Sequence, residues 1–337
     1  MRDRRISQFA MNRFQSLLGQ DQAVDLLQQA IAQHRIAPAY LFVGPEGVGK
    51  RLAAKAFAEE LLMGSLSETE QQQRQKRFFA GNHPDLLKLE PTFQHQGQLL
   101  TAAEADKAGL KRRSPPLIRV EQIREINRFL SRPPLEAERA VVLIEAAEAM
   151  NEGAANALLK TLEEPGRATL ILLAPSIDSL LPTLVSRCQR IPFYRLSASD
   201  IQEILTRLGR QDMIHQPELL AIAQGSPGIL FQAWEQLQAI DPDLRQKLHT
   251  PPTTPLAAFE LAKLVEGNLD TTGQLWLVDY LQYHYWQTHQ QRQWLETLEK
   301  TRKYLLAYVQ PRLVWESTLL SFYHLQRSGQ SAKAGLG

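Results

Sequence analysis

Leu41-Phe42-Val43-Gly44-Pro45-Glu46-Gly47-Val48-Gly49-Lys50-Arg51 decides the fold. An apolar run, a loop with three glycines, a lysine and an alanine-rich amphipathic segment spell strand, phosphate-binding turn and helix. In such a loop the glycines let backbone N–H groups close around phosphate oxygens, and the lysine reaches the terminal phosphates. The pattern calls for Ser or Thr after the lysine, because that hydroxyl ligates Mg²⁺. Arg51 stands there instead. A guanidinium cannot ligate a metal, and it puts a cation where the metal's charge belongs. On these residues alone a tight glycine turn that binds nothing stays open as the alternative.

Working outward, strands and helices alternate. Gln20 to His34 carries a helical apolar face through Ala23, Val24, Leu26, Leu27, Ala30 and Ile31. Ala39 to Val43 reads as a buried strand, and Lys50 to Leu62 as the helix after the loop, closed by Gly64. Residues 65–80 are polar and form a solvated connection or a short helix. Asn82-His83-Pro84-Asp85 is a turn, Leu86 to Leu89 a second strand, and residues 91–116 a polar connection. Ile118 to Leu130 returns to helical period, and Ala140 to Ile144 is the strongest strand. Asn151 caps a helix that Pro165-Gly166 ends. A strand (Leu170 to Leu173), a short helix (Ile177 to Val185) and a last strand (Gln189 to Phe193) follow. The fold class is therefore α/β, a parallel sheet with helices on both faces.

From Arg195 onward the pattern is helical only, through Arg195 to Leu208, Pro217 to Leu237 and Leu256 to Leu325. The expected organisation is a flexible extension (residues 1–11), an α/β domain (12–195), a small helical domain (196–249), a Pro-rich linker (250–255), a second helical domain (256–325) and a disordered tail (326–337). Trp276, Trp286, Trp294 and Trp315 fall at helical spacing and read as packing of that last domain.

The net charge of +2 leaves no global field to attract DNA, so any contact must be a local patch. Lys107, Lys111, Arg112 and Arg113 form one basic run, either a solvated loop or a nucleic-acid contact. Cys188 is the only cysteine, which excludes an intrachain disulfide and a cysteine zinc cluster and fits a reducing compartment. No stretch approaches the roughly 20 apolar residues of a membrane span, and the basic start lacks a signal peptide's apolar segment. A cytoplasmic protein is expected.

A nucleotide hydrolase also needs an acidic residue at the end of a buried strand, to hold the metal, and a glutamate beside it to polarise water. Glu145, after Val141-Val142-Leu143-Ile144, supplies the first; Ala146 occupies the place of the second. Hydrolysis in cis should be very slow.

Asn156-Ala157-Leu158-Leu159-Lys160-Thr161-Leu162-Glu163-Glu164-Pro165, followed by Ser186-Arg187-Cys188, resembles the bacterial clamp-loader branch of the AAA+ ATPases. Gly19-Gln20, His83-Pro84-Asp85, Ile123-Arg124-Glu125 and Gly225-Ser226-Pro227-Gly228 agree, so the resemblance covers residues 12–325. It implies an AAA+ P-loop domain, a helical lid and an all-helical collar that joins a ring. It also implies a subunit of the DNA polymerase III clamp loader, with gamma/tau and delta subunits, the sliding clamp and primer-template DNA as partners. Arg187 matches the arginine that such a subunit presents in trans to the γ-phosphate of ATP on its neighbour; the bland alternative is a surface ion pair. Gly44, Pro45, Glu46, Gly47, Val48, Gly49, Lys50 and Arg51, with Glu145, would form a degenerate nucleotide site, holding ATP or ADP without productive hydrolysis.

Three departures separate the chain from the family's motors. Residues 62–82 lack the cysteines of a zinc module, so no zinc is expected. A nucleotide-sensing arginine after the Gly-Ser pair is missing around Pro227-Gly228, and only Ser176 could serve as the polar sensor after the Leu170–Leu173 strand. The implied role is a rigid, non-hydrolysing subunit. Two alternatives stand beside it: an active gamma/tau-like motor, against which Arg51 and Ala146 argue, and a stand-alone DNA-binding protein using the basic run.

Overall fold

Every apolar run read as a strand forms one in the computed structural model, which describes residues 13–63, 68–109 and 114–334. The expected extension at residues 1–11, Gly64, the basic residues Lys111, Arg112 and Arg113, and residues 335–337 of the expected tail lie outside the described residues. By internal contacts the chain divides into two compact units, Met1–Ile204 and Leu205–Gly337.

The first unit opens with α1 (Asp21–Ala32), β1 (Ala39–Val43), α2 (Lys50–Met63) and α3 (Glu68–Phe79). It continues with β2 (Leu86–Leu89), β3 (Phe93–His95), β4 (Gln98–Leu100), α4 (Ala102–Lys107) and α5 (Val120–Leu130). It closes with β5 (Ala140–Ile144), α6 (Glu152–Glu163), β6 (Ala168–Ala174), α7 (Pro182–Val185), β7 (Gln189–Pro192) and the start of α8 (Ala198–Arg207). One sheet runs in the order β2-β5-β6-β1-β7, every pair parallel. The central strands β5 and β6 are buried along their whole length, which is why they read as continuous apolar runs.

Alternation puts the two faces of the sheet in different layers. Leu41, Val142, Ile144, Leu170 and Leu172 pack with Ile123 and Ile126 of α5 and Ala154 and Leu158 of α6. Tyr40 and Phe42 turn the other way, onto Phe57 of α2, at centroid separations of 4.9 and 6.4 Å. Asn151 caps α6 as expected, its side chain accepting from the Ala154 N–H at 2.8 Å.

Several local expectations are corrected. The polar stretch 91–116 contains the antiparallel hairpin β3–β4 and the short α4. Helix α5 starts at Val120, because Ile118 bridges Met150 and the Arg119 N–H donates to Gln122 Oε1 at 3.1 Å. The helix expected over Ile177 to Val185 is broken into a 3₁₀ turn, Ile177–Ser179, and α7. Pro182 holds Leu181 extended, with ψ 131°. Helix α8 begins after Ser197, whose hydroxyl accepts from the Asp200 N–H while its own N–H donates to the Asp200 carboxylate.

The second unit is helical: α9 (Pro217–Ala223), α10 (Pro227–Ala239), α11 (Pro242–His249), α12 (Pro255–Asn268), α13 (Thr271–His289), α14 (Arg292–Leu306) and α15 (Pro311–Ala334). Asp241, Thr254 and Asp270 each accept a backbone N–H at a helix start. Trp315 is fully buried and donates to Gln274 Oε1 at 2.9 Å. Trp276 and Trp294 are buried too, but Trp286 is 46% exposed and lies outside the packing assigned to the four tryptophans. Helix α15 runs on to Ala334, where a disordered tail was expected from residue 326. Gly329 is the single glycine between Arg327 and Ala334, and one glycine costs only about 1 kcal/mol.

Candidate functional site

Gly44, Glu145 and Pro175 follow the carboxyl ends of β1, β5 and β6, where ligands bind in open parallel sheets. The Gly44 N–H donates to Ala174 O, and the Phe193 N–H to Val43 O, so the loop leaves the sheet between two anchored neighbours. A Cβ on Gly44 would sit 2.2 Å from the Phe193 carbonyl oxygen, so no other residue fits without moving backbone. Gly47 and Gly49 have φ of 74° and 109°, which favour glycine for conformational reasons.

The fourth corner is Gln20, whose part in the site was hidden in the sequence. Its side chain is buried and spans the base of the loop. Nε2 donates to Val48 O at 3.1 Å and to Tyr194 O at 2.7 Å, and Oε1 accepts from the Tyr194 N–H at 3.1 Å. The Gly19-Gln20 pair is thus a brace between the loop and the end of β7. Gly19, at φ 69°, sets the turn that aims it.

Lys50 Nζ donates to the Gly44 carbonyl and, at 2.6 Å, to that of Pro45. Burial lowers its pKa, opposed by the Glu46 and Glu148 carboxylates. Burial in turn raises Glu148. Arg51 is ion-paired with Glu145; the guanidinium is mostly exposed and the carboxylate is 14% exposed. Ala146 follows in the left-handed region at φ 50° and has no side chain to position water. Ser176 is exposed at the start of the 3₁₀ turn, where its carbonyl accepts from Ser179 Oγ at 2.6 Å.

The residue types of the loop suit a polyphosphate, since glycine backbone N–H groups and a lysine are its usual ligands, and Lys50 Nζ lies within the loop on the Gly44 and Pro45 carbonyls. The loop does not fit the magnesium ion that accompanies nucleotide in this fold family. Position 51 offers no oxygen, and the carboxylate at the end of β5 is neutralised by the guanidinium beside it. Among the described residues no group of three or more His, Cys, Asp or Glu is arranged to hold a metal ion.

Arg187 is not brought to this loop. It follows α7, where Nε and Nη2 reach Glu163 Oε1 at 3.1 and 2.6 Å and Nη1 donates to Thr183 O at 3.0 Å. Both charged side chains are substantially exposed, 37% for Arg187 and 53% for Glu163. Burial pushes the neighbouring Cys188 thiol up to about 11, so it behaves as a small apolar group. His83 and Asp85 are buried in a turn instead: the Asp85 carboxylate accepts from the N–H groups of Leu135, Glu136 and Ala137 at 2.6–2.8 Å. In the second unit Ser226 is buried before α10, with Pro227 in its first turn. Among the described residues no helix is long and apolar enough to cross a membrane.

Comparison with known proteins agrees with this geometry. Residues 19–197, more than half of the chain, match the family described as DNA polymerase III, delta subunit. Residues 199–322 match the family described as cyanobacterial DNA polymerase III delta prime, C-terminal domain. The DNA polymerase III subunit delta' of Pseudomonas aeruginosa is 36% identical over 66% of this chain and 65% of its own length. That of Bacillus subtilis is 34% identical over 60% of this chain and 55% of its own. The matched stretches thus span less than two thirds of these relatives. A crystal structure of a DNA polymerase III gamma subunit-related protein from Thermotoga maritima superposes with a TM-score of 0.53 at 17% identity, covering 90% of this chain and 99% of that one. The shared architecture is the AAA+ one, a P-loop parallel sheet followed by helical regions. With a half-buried glycine loop braced by Gln20 at its centre, the chain belongs to the DNA polymerase III delta-subunit family, its second unit being of the delta-prime kind.

Proposed function

We propose that the chain is a delta-prime-type subunit of the bacterial clamp loader that does not hydrolyse ATP itself. It would lend an arginine finger, Arg187, to a neighbouring gamma/tau ATPase subunit. The single observation behind this reading is the Arg51–Glu145 ion pair, which fills the place where a motor keeps a metal-binding hydroxyl and carboxylate. With Ala146 beside it, water has no base. The remaining asset faces outward.

Arg187 in the lone chain rests on Glu163, and that pair supports the assignment. An ion pair this exposed is worth at most about 1 kcal/mol, so a neighbour's γ-phosphate, with charge-assisted bonds to a rigid fork, can take the guanidinium over. The helical second unit would join the ring together with gamma/tau and delta subunits. The assembled ring would open the sliding clamp and place it on primer-template DNA.

Reconstitution with gamma/tau and delta subunits tests the proposal. Arg187→Ala should leave complex size unchanged and lower DNA-stimulated ATP hydrolysis by about 100-fold or more. Normal hydrolysis by the mutant complex removes the finger. ATP turnover by the isolated chain that is lost in Lys50→Ala would make it a motor instead.

A further inference from the structure

The glycine loop carries one feature that non-hydrolysis alone does not require: the residue after Lys50 is not merely unable to bind a metal, it is a second cation tied to the sheet. We propose that this site binds a nucleoside diphosphate or triphosphate independently of magnesium, with the Arg51 guanidinium serving as the fixed counter-charge. The inference rests on the phosphate-binding reading of the loop, and goes beyond it by naming the form of the ligand.

Three observations carry it. Arg51 occupies the first turn of α2 with its side chain 64% exposed, and among the described residues its ion pair runs from Nη2 to Glu145 Oε2. A guanidinium has five N–H donors in a planar fork, so Nε and Nη1 remain to meet phosphate oxygens while Glu145 fixes the plane. The same ion pair removes the one carboxylate at the end of β5 from metal ligation. Glu148, nearer to Lys50, is held in an environment that disfavours its charged form.

The second argument is charge. Glu145 holds the Arg51 guanidinium in place while most of that side chain stays exposed, so Arg51, Lys50 and the helix N-terminus are the positive groups around the loop. In a motor the metal neutralises β- and γ-oxygens; here a metal ion brought with the nucleotide would face a guanidinium at close range. Free nucleotide is the better partner, since its full negative charge meets Lys50 and Arg51 directly. The arrangement also separates binding from turnover: phosphates are held and no water is activated.

Isothermal titration of the full-length chain with ADP, in excess EDTA and again in excess magnesium, tests this. Expected is binding in EDTA that magnesium leaves within about threefold or weakens, and a reversal in Arg51→Thr, where magnesium tightens ADP by about tenfold or more. Thermal melts with ADP in EDTA provide the second readout, with stabilisation of the wild-type chain that Arg51→Thr loses and Arg51→Lys partly keeps. Wild-type binding that requires magnesium overturns the inference, as does absence of ADP binding in both buffers. Either result leaves the non-hydrolysing clamp-loader role standing, because that role is read from ATP turnover in the reconstituted complex.

Discussion

Gln20 concentrates more of the site's mechanics than any residue that would touch phosphate. Its amide joins Val48 in the loop to Tyr194 after β7, with the bond to Val48 buried and the two to Tyr194 partly so. Gln20→Ala would strand the Val48 and Tyr194 groups without partners, and each buried orphan costs about 1–3 kcal/mol. We expect urea unfolding to show a loss of about 2–4 kcal/mol, with ADP affinity falling alongside. A Gln20→Glu chain should recover little, because its carboxylate can accept from the Tyr194 N–H and cannot donate to two carbonyls. Stability equal to wild type in Gln20→Ala would show that the brace is redundant. Arg51 and Glu145 differ in kind: their pair is half exposed, so its removal should alter ligand charge preference and leave the fold nearly unchanged.

At the scale of elements, the turn between α5 and β5 is held by a residue far away in sequence. Asp85, just before β2, satisfies the N–H groups of Leu135, Glu136 and Ala137, and Arg74 and Arg77 of α3 pair with Glu136. His83 Nδ1 accepts from the Asp85 N–H at 3.1 Å, which places its proton on Nε2, a buried atom with no partner among the described residues. Burial lowers the His83 pKa against the pull of Asp85 and Glu136, with Arg74 and Arg77 adding to the lowering. The unfolded chain therefore takes up a proton that the folded one refuses. Stability from this group is present above about pH 6.5, the ordinary histidine value, and falls as pH drops through the lowered folded value. The unfolding free energy of wild type should decline on acidification by no more than about 1.4 kcal/mol per pH unit from this source. His83→Gln should show a shallower decline; an unchanged slope rejects the assignment, and the comparison separates His83 from His249, which burial also lowers. The strands of the sheet were legible because full burial leaves only apolar side chains, and the glycine loop because its backbone admits little else. The β3–β4 hairpin was not: it is three residues a side, largely exposed, and turns on Gln96-Gly97 at φ 49° and 80° without an Asn-Gly or Asp-Gly cue. The Arg51–Glu145 and Gln20 contacts were equally hidden, since they join residues 94 and 174 positions apart that only the sheet order brings together.

For the whole molecule, the decisive question is where the chain can be cut. Composition marks Thr250 to Pro255 as a linker, yet Pro251 and Pro252 are buried and Thr254 caps α12. The helices on either side of that stretch share one set of contacts. Tyr285 of α13 donates to Leu248 O at 2.9 Å, His284 Nε2 lies 3.0 Å from His249 O, and the His249 ring stacks on His284 at 4.1 Å. Removing residues 1–255 would take the Leu248 carbonyl and α11 away from Tyr285, a residue 1% exposed, and deleting 255–337 would strip α11 of the same contacts. The family matches break instead between residues 197 and 199, ahead of α8. A fragment of residues 198–337 should therefore unfold in one cooperative transition, because it keeps the whole of the second compact unit, Leu205–Gly337. A fragment of residues 256–337 should lose about 2–5 kcal/mol relative to it, on the scale of exposing a large aromatic and its neighbours, or melt without cooperativity. Urea titration followed by circular dichroism and tryptophan fluorescence distinguishes the two, and coincident midpoints for both fragments would make the segments before and after residue 255 separate folding units.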